Sequence, residues 1–365
     1  MGTGGSILSG VVGTAARELP IIIAGAGPAG AATAIGLERA GRDVLVFEQR
    51  GAIATRARNI FLRPQARDIL HDLTGWNPGR DTTIMSIENT LREAAAREGV
   101  AISYNHRVLD LVEHEGRISV TVEDAVTGAR HTLDADMFVD ATGGRLAATG
   151  HGALERIATG PSHVYVTAQY TGKPPLPGVS GAFDRARSEG LYFYPSSDGK
   201  GFIAYFDLPP GIPAGDESAL LARYEQIASS LELGTPLSPP QVFDAQQHLS
   251  RSAAQGRVLK IGDSAGNADP YVGAGVAAAL VDAAAATRAL SSPGDAVALA
   301  RAAADDVLEG HRNLGRTAGY MRDVRSLALR LLPDAPMDAS IERSDLRRSR
   351  VLEAVASVLT TRPIS

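Results

Sequence analysis

The sequence has 365 residues, of which 44% are hydrophobic and 21% charged, and its formal net charge is −5. This composition is typical of a globular protein with two domains of ~150 residues each, and the acidic balance argues against binding to nucleic acid, whose phosphates require a basic surface. The absence of cysteine excludes disulfides, thiolate nucleophiles, cysteine-ligated zinc and iron–sulfur clusters.

Residues 1–19 are predicted to be a flexible leader. Glycine and serine are frequent in them, and they have neither the basic start nor the continuous apolar run of a signal peptide. No apolar stretch in the sequence approaches the ~20 residues that span a membrane. We therefore expect a cytoplasmic protein with no membrane span.

The first predicted unit is a strand, a glycine-rich turn, a helix and a second strand over residues 20–48. The run PIIIAGAGPAG begins with buried-strand residues, AATAIGLERAG has the spacing of a helix that ends at Gly41, and DVLVFEQR is rich in β-formers. This order within ~30 residues is typical of a βαβ unit, which forms part of a parallel sheet.

The next elements alternate between helical and β patterns. Residues 85–99 predict an amphipathic helix, residues 101–135 predict antiparallel strands, and residues 136–144 predict a buried strand. Over residues 160–250, short β-rich runs between Pro and Gly clusters, including the hairpin turn SSDGKG, predict a second, mostly antiparallel sheet. A buried strand at 257–263, a long alanine-rich helix and a helical, arginine-rich C-terminal part follow.

The glycine-rich turn has the pattern GxGxxG between a predicted strand and a predicted helix. Gly25 permits the tight turn, Gly27 lets a pyrophosphate approach the backbone, and Gly30 allows close helix–strand packing. Glu48 ends the next strand, where a carboxylate accepts both hydroxyls of an adenosine ribose and repels a 2′-phosphate. The pattern therefore predicts a site for FAD or NAD, and the alternative is a turn that only packs.

A second motif, GDSAGNADPYVGAGVAAALVDA, begins at residue 262. Asp263 ends a predicted strand, and Gly273, Ala274 and Gly275 precede a helix. A carboxylate there can bind the hydroxyls of a ribityl chain, which NAD lacks, and the helix N-terminus can point its dipole at the N1/C2=O edge of an isoalloxazine. Together the two motifs favour FAD, and the alternative for the second is a capped strand–helix junction.

At both motifs the chain resembles the group A, or p-hydroxybenzoate hydroxylase-like, FAD-dependent monooxygenases, on the segments GAGPAGAATAIGLERAGRDVLVFEQR and IGDSAGNADPYVGAGVAAALVDA. The segments TRARNIFLRPQARDIL and SIENTLREAAAREGV are similar to the MICAL-like and halogenase-like branches. The resemblance implies that FAD contacts residues of both motifs and of the chain between them, namely Gly25, Gly27, Pro28, Ala29, Gly30, Glu48, Arg58, Val108, Asp263, Pro270, Gly273, Ala274, Gly275 and Val276.

The fold implied by this resemblance is α/β: a Rossmann-type FAD-binding domain with an inserted, mostly antiparallel β-sheet substrate domain and C-terminal helices. We expect the FAD-binding domain over residues 20–159 and 251–292 and the substrate domain over residues 160–250. Residues 293–365 are expected to form a C-terminal helical segment.

Two departures from the family pattern concern reduction of the flavin. The family's Asp-Gly motif, shared between FAD and a transient nicotinamide, is replaced by Ala-Thr-Gly-Gly after Asp140, and Gly266 stands where a histidine is common. The electron donor is therefore left open between transient NAD(P)H and a separate flavin reductase.

The function implied by the resemblance is insertion of oxygen from O2 into an apolar, aromatic or polyketide-like small molecule through a flavin C4a-hydroperoxide. This chemistry needs an apolar pocket that excludes water rather than an acid–base triad. The pocket candidates are Tyr192 and Tyr194 in the second sheet and Pro270 and Tyr271 beside the flavin. Strand alternation puts Phe193 on the opposite face from the two tyrosines, so only one of the two sets can line the pocket.

The alternative function is that of a FAD-bound, non-redox cyclase of the [4+2] type, which uses the pocket to preorganise a polyene. The missing Asp-Gly motif motivates it. A flavin halogenase is a weaker hypothesis, because the lysine and tryptophan signatures of halogenases are not evident. His248 and Arg251 are candidates for contacting an acidic substrate group, and no spacing of His, Asp and Glu predicts a metal site.

Overall fold

The structure is a computed structural model that describes residues 19–331 apart from 52–58, 79–80, 144–155, 175–179, 185–188, 196–200, 208–215, 238, 268–274 and 293. Several predictions fall on residues outside this part of the chain: almost all of the leader, the hairpin turn SSDGKG, the arginine-rich C-terminal stretch, and Arg58, Pro270, Tyr271, Gly273 and Ala274.

The chain forms strands and helices in the following order. The first half holds β1 (Ile21–Ala24), α1 (Pro28–Arg39), β2 (Val44–Glu48), β3 (Asn59–Phe61), α2 (Pro64–Thr74), β4 (Asp81–Thr83), α3 (Ile84–Arg97), β5 (Ala101–Tyr104), β6 (His106–His114), β7 (Arg117–Asp124), β8 (Arg130–Ala135) and β9 (Met137–Asp140). The second half holds β10 (Arg156–Thr171), β11 (Ser180–Asp184), β12 (Glu189–Pro195), β13 (Gly201–Asp207), α4 (Glu217–Ser230), β14 (Gln241–Ser250), β15 (Ala254–Gln255), β16 (Val258–Lys260), β17 (Gly266–Asn267), α5 (Gly275–Leu290) and α6 (Ala296–Leu331).

The central sheet has the strand order β15-β16-β9-β1-β2-β5, and all its pairs except β15–β16 are parallel. Strand β1 is buried along its whole length, as expected for a parallel strand that is covered on both faces. Helices α1, α2, α3 and α5 pack on the face of Ile21 and Ile23. The βαβ unit and the strand predicted before Asp140 are confirmed.

A small sheet of β6, β7 and β8 covers the other face of the central sheet. Ile22 and Phe138 pack there against Leu111 and Val120. The predicted antiparallel excursion is confirmed for these strands but is wrong for residues 101–104, which form β5 and pair in parallel with β2. The two segments are separated by Asn105, which has a φ of 58°, a conformation that asparagine tolerates better than most residues do.

The second large sheet has the strand order β11-β12-β13-β10-β14-β17. Its pairs are antiparallel, as predicted. Helix α4, which the sequence analysis did not predict, begins after Asp216, whose carboxylate accepts hydrogen bonds from the first-turn amides of Ser218 and Ala219. Its residues Tyr224 and Ile227 close a second apolar core on one face of the sheet. The predicted limits of the two domains stay predictions.

Helices α5 and α6 complete the described chain. Helix α5 packs against α1 so closely that a Cβ at Gly36 would lie 2.5 Å from Oγ1 of Thr287. In the part of the chain that the structure describes, no helix is both long enough and apolar enough to cross a bilayer.

Candidate functional site

The glycine-rich turn lies between the ends of β1 and β9 and the start of α1. Gly25 has a φ of +99°, a conformation that favours glycine. A Cβ at Gly25 would overlap the carbonyl of Ala141, and a Cβ at Gly30 would overlap the carbonyl oxygen of Gly25. Neither position accepts a larger residue unless the backbone moves. The turn, the loop after β9 and the start of α1 are therefore in close backbone contact, which is the packing that the glycines of the motif allow.

Gly27 differs from its two neighbours in the motif because it borders open space. It is the N-cap residue of α1, with Pro28 at the first helical position and no side-chain hydrogen bond to cap the helix. A Cβ at Gly27 would have no heavy atom within 4 Å. An uncapped helix start with free space above it suits an anion, because the helix dipole and the first-turn amides favour negative charge. A pyrophosphate fits this position.

Glu48 ends β2 and faces the same turn. Its side chain is buried, and Oε2 accepts a hydrogen bond from the backbone N–H of Ala26 at 2.9 Å. Arg50 donates its backbone N–H and Nε to Oε1 at 2.9 and 3.0 Å, and Nη2 to Oε2 at 3.2 Å. Burial alone would raise the pKa of Glu48, but these hydrogen bonds outweigh it and lower the pKa below its usual value. Glu48 is therefore a charged, oriented acceptor at neutral pH.

Arg50, which the sequence analysis missed, joins Glu48 to a second buried carboxylate. Its Nη2 lies 3.8 Å from Oε1 of Glu88 on α3, and one turn further along that helix the guanidinium of Arg92 lies 5.5 Å from the ring centre of Tyr104. Glu88 and Arg92 occupy the buried face of α3 beside Leu91. The helical spacing of the sequence already placed these two charged residues on the apolar face of α3. Because charged residues are rarely buried unless paired, their position there was a signal for a buried ion-pair network.

Asp140 ties the two halves of the site together. Its Oδ1 accepts hydrogen bonds from the backbone N–H and Oγ1 of Thr142 at 3.0 and 2.7 Å, and from Oγ of Ser264 at 2.9 Å. The carboxylate is buried. Asp140 thus links the loop after β9 to the second motif, across 124 residues of sequence.

The second motif lies next to the first. A Cβ at Gly262 would lie 3.1 Å from the Cβ of Ala29 on α1. Asp263 follows in a short 3-10 turn, Gly262–Ser264, and its Oδ1 lies 3.8 Å from the Cβ position of Gly275 at the start of α5. The structure therefore brings the two predicted FAD segments to one edge of the central sheet, with the N-termini of α1 and α5 both at that edge.

Most of the described site candidates lie at this edge: Gly25, Gly27, Pro28, Ala29, Gly30, Glu48, Asp263, Gly275 and Val276. Val108 is placed differently, on β6, with its side chain in the apolar core shared with Phe47. Its backbone is the part that remains for a ligand, next to an irregularity in the β6–β7 register between Val108 and Asp110.

The second sheet has an aromatic face, which we define as Tyr165, Tyr205 and Phe243. The ring centres of Tyr165 and Tyr205 are 4.7 Å apart, and those of Tyr165 and Phe243 are 5.2 Å apart, both in stacked orientation. This face is the side of the sheet that points away from α4. Phe193 and Leu191 of β12 lie on the other side, where they are part of the same apolar core as Tyr224 of α4. Tyr192 pairs with Tyr205 in the strand register, so the positions of Tyr192 and Tyr194 are on the aromatic face.

Strand β14 attaches the second sheet to the second motif. The backbone N–H of Ser250 donates to the carbonyl of Ala265 at 2.7 Å, and its Oγ donates to the carbonyl of Ser264 at 3.1 Å. The imidazole Nε2 of His248 lies 3.1 Å from the carbonyl oxygen of Asp263. His248, which was predicted as a contact for an acidic substrate, thus contacts the backbone of the cofactor segment.

Two family models match the sequence. The model of a family described as "FAD binding domain" matches residues 57–297, and a model described as an NAD(P)-binding Rossmann-like domain matches residues 23–75. No curated protein matches the sequence.

In the described part of the chain, no group of three or more His, Asp or Glu is arranged to hold a metal.

Solved structures share the fold over nearly the whole chain. The flavin-dependent monooxygenase PieE, in complex with FAD and substrate, has a TM-score of 0.68 and 18% identity over 95% of this chain and 72% of that chain. OxyS, an anhydrotetracycline hydroxylase from Streptomyces rimosus, has a TM-score of 0.66 and 18% identity over 96% and 78%. A triple mutant of the flavin-dependent brominase Bmp2 has a TM-score of 0.71 and 16% identity over 93% and 100%. The predicted fold class is confirmed.

Proposed function

Because the chain belongs to the FAD binding domain family, we propose that it is a FAD-dependent monooxygenase that acts on an apolar small molecule. The observation that carries this proposal is that the two motifs lie side by side: a Cβ at Gly262 would lie 3.1 Å from the Cβ of Ala29, and Oγ of Ser264 donates to Asp140. The two loops therefore face one cofactor rather than two separate clefts. Structures with this fold include a monooxygenase solved with FAD and substrate.

The residues of this chain would hold FAD as follows. Glu48 accepts hydrogen bonds from the adenosine ribose, and the open position at Gly27 and the start of α1 receive the pyrophosphate. Asp263 binds the ribityl chain, and the start of α5 faces the N1/C2=O edge of the isoalloxazine. Bound FAD would supply the activation of O2 at the C4a position of the reduced ring.

The substrate is proposed to lie between the flavin and the aromatic face. Tyr165, Tyr205 and Phe243 form a stacked aromatic cluster. Tyr165 is only 5% exposed, so the half-buried Tyr205 and Phe243 supply the accessible surface, and aromatic side chains suit a planar aromatic or polyketide-like molecule. Since β14 is bonded directly to the second motif, this surface is held at a fixed position relative to Asp263. The protein's task is to exclude water and orient the substrate.

A non-redox cyclase of the [4+2] type is the second candidate function. It is favoured by Asp140, which stands where the family's nicotinamide-linked motif is expected and whose Oδ1 accepts hydrogen bonds from Thr142 and Ser264. An enzyme of this kind would keep FAD as a structural element and use the aromatic face to fold a polyene.

One experiment separates these functions. The purified holoprotein is mixed anaerobically with NADH, with NADPH, or with NADH and a flavin reductase, each with a polycyclic aromatic substrate, and the absorbance near the flavin maximum is followed. We expect bleaching with at least one donor and, after admission of air, reoxidation with an oxygenated product. A flavin that stays oxidised with every donor while a polyene substrate is cyclised would overturn the monooxygenase proposal.

A further inference from the structure

The buried face of α6 contains one histidine among apolar residues. In the part of α6 whose side chains the structure describes, the other buried positions follow helical spacing and are Ala296, Ala300, Ala303, Ala304, Val307 and Leu308. His311 is the next position of this stripe and is only 6% exposed. A polar ring at an otherwise apolar position requires a partner, because an unpaired buried polar group is costly.

The partner of His311 is Asp282 on α5, which is also buried. The imidazole Nε2 lies 2.8 Å from Oδ2 of Asp282, and the same oxygen accepts the backbone N–H of Gly262 at 2.8 Å. A carboxylate accepts hydrogen bonds only, so Nε2 of His311 carries the proton. A continuous chain of hydrogen bonds thus runs from α6 through α5 to the first residue of the second motif.

The ring of His311 also touches the far end of the same segment. A Cβ at Gly266 would lie 2.9 Å from Nδ1 and 3.0 Å from Cγ of His311. These distances are too short for any side chain to remain there without a shift of the ring. His311 therefore holds residues 262–267 at both ends, through Asp282 at Gly262 and by direct packing at Gly266.

Asp263 lies between those two glycines, and its Oδ1 is 3.8 Å from the Cβ position of Gly275. Asp282 is seven residues after Gly275, which is two turns later on the same face of α5. The hydrogen bond from Gly262 to Asp282 therefore fixes the position of the adjacent Asp263 relative to the N-terminus of α5. The orientation of Asp282 depends in turn on His311.

We propose that His311 is a positioning residue for the cofactor: it orients Asp282, which sets the place of Asp263 and of the N-terminus of α5 against the flavin. This inference rests on the proposed placement of FAD, and it adds a residue from the C-terminal helix that neither motif contains. If His311 only packed, its replacement would lower stability alone. A positioning role also changes the flavin environment, because the α5 dipole favours the anionic reduced ring.

The test compares His311→Leu, which keeps the apolar stripe but removes the donor, with His311→Gln, whose amide can replace Nε2 as donor to Asp282. FAD is titrated into each apoprotein, and the midpoint potential of each holoprotein is measured. We expect the leucine variant to bind FAD about tenfold more weakly, because Asp282 loses the donor that orients it and no longer holds Gly262 in one place, and we expect its potential to shift. The glutamine variant is expected to return both values towards those of the wild type.

Tyr224→Phe is the matched control. It removes a buried hydrogen bond of 3.0 Å between the hydroxyls of Tyr170 and Tyr224, in the apolar core of the second sheet, and is expected to lower stability while FAD affinity and potential stay unchanged. If the leucine variant does not fold, Asp282→Ala, which removes the oxygen that accepts from both Gly262 and His311, is measured in the same way, with the same expected weakening.

Each outcome decides something different. Wild-type affinity and potential in a folded leucine variant, or in the Asp282→Ala variant measured in its place, would overturn the role of His311 and leave the proposed function intact. Failure of the wild-type protein to bind FAD would overturn the placement of the cofactor on which this inference rests.

Discussion

Replacing Glu48 with arginine is expected to lower the affinity for FAD about 100-fold or more, since hydrogen bonds to a charged group contribute about 1.5–3 kcal/mol and a guanidinium cannot accept them from the ribose. The new guanidinium would lie against Arg50 and the N–H of Ala26, both of which now donate to the carboxylate. It would also offer the adenosine ribose no acceptor. The measurement is a titration of FAD into the apoprotein, followed by flavin fluorescence.

Glu123→Arg is the control for this charge reversal. Glu123 is also paired with arginines, Arg107 and Arg130, but it lies on β7, outside the cofactor edge. We expect this variant to bind FAD with wild-type affinity. A Glu48→Arg protein that purifies with a full complement of FAD would contradict the assignment of Glu48 to the ribose.

Gly27→Val is expected to separate cofactor binding from folding. Gly27 has a φ of −73° and a ψ of −175°, an extended conformation that valine adopts readily. A Cβ there meets no heavy atom within 4 Å, so we expect the apoprotein to lose no more than about 1 kcal/mol of stability, the order of the cost of replacing a good N-cap residue. The side chain would occupy the space proposed for the pyrophosphate, and the affinity for FAD should fall at least about tenfold.

The neighbouring glycine provides the opposite case. In Gly30→Ala the new Cβ would overlap the carbonyl oxygen of Gly25 and lie 3.1 Å from the Cβ of Ala141, so the apoprotein itself should lose stability by about 1–3 kcal/mol, as is typical of overpacking. Urea unfolding of both apoproteins measures this difference. Unchanged FAD affinity in a folded Gly27→Val protein would show that no phosphate passes this position.

The first βαβ unit could be predicted from the sequence because its signals are local. A continuous apolar run, a glycine turn with fixed offsets and a carboxylate at the next strand end each constrain the backbone within a few residues. The second motif was equally local. The closeness of Gly262 to Ala29 was expected only from the resemblance, since spacing alone does not bring distant loops together.

Other features depend on packing between elements far apart in sequence. Alternation in β12 divided its aromatic residues into two sets, but which set α4 would cover depended on a helix that the pattern did not reveal. The side of Phe193 was decided only by its packing against that helix. Likewise, residues 101–104 have the alternation of an antiparallel strand, yet they join the parallel sheet because β2 offers a free edge there.

The polar contacts that support the site were also missed, for a similar reason. Asp140 and Ser264 lie 124 residues apart, and His311 and Asp282 lie on different helices. Sequence spacing carries no information about such pairs. What the sequence does contain is the anomaly itself: a histidine or an aspartate at a position where helical spacing predicts an apolar residue.

The most direct test of the central claim is a crystal structure of the protein with FAD. We expect one FAD per chain, with its ribose hydroxyls on Glu48, its pyrophosphate beside Gly27, and its isoalloxazine at Asp263 and the start of α5. Electron density for FAD in a cleft that contains neither motif would contradict the claim that a single cofactor joins the two loops. An FAD whose adenosine and isoalloxazine ends bind different protein molecules would contradict it as well.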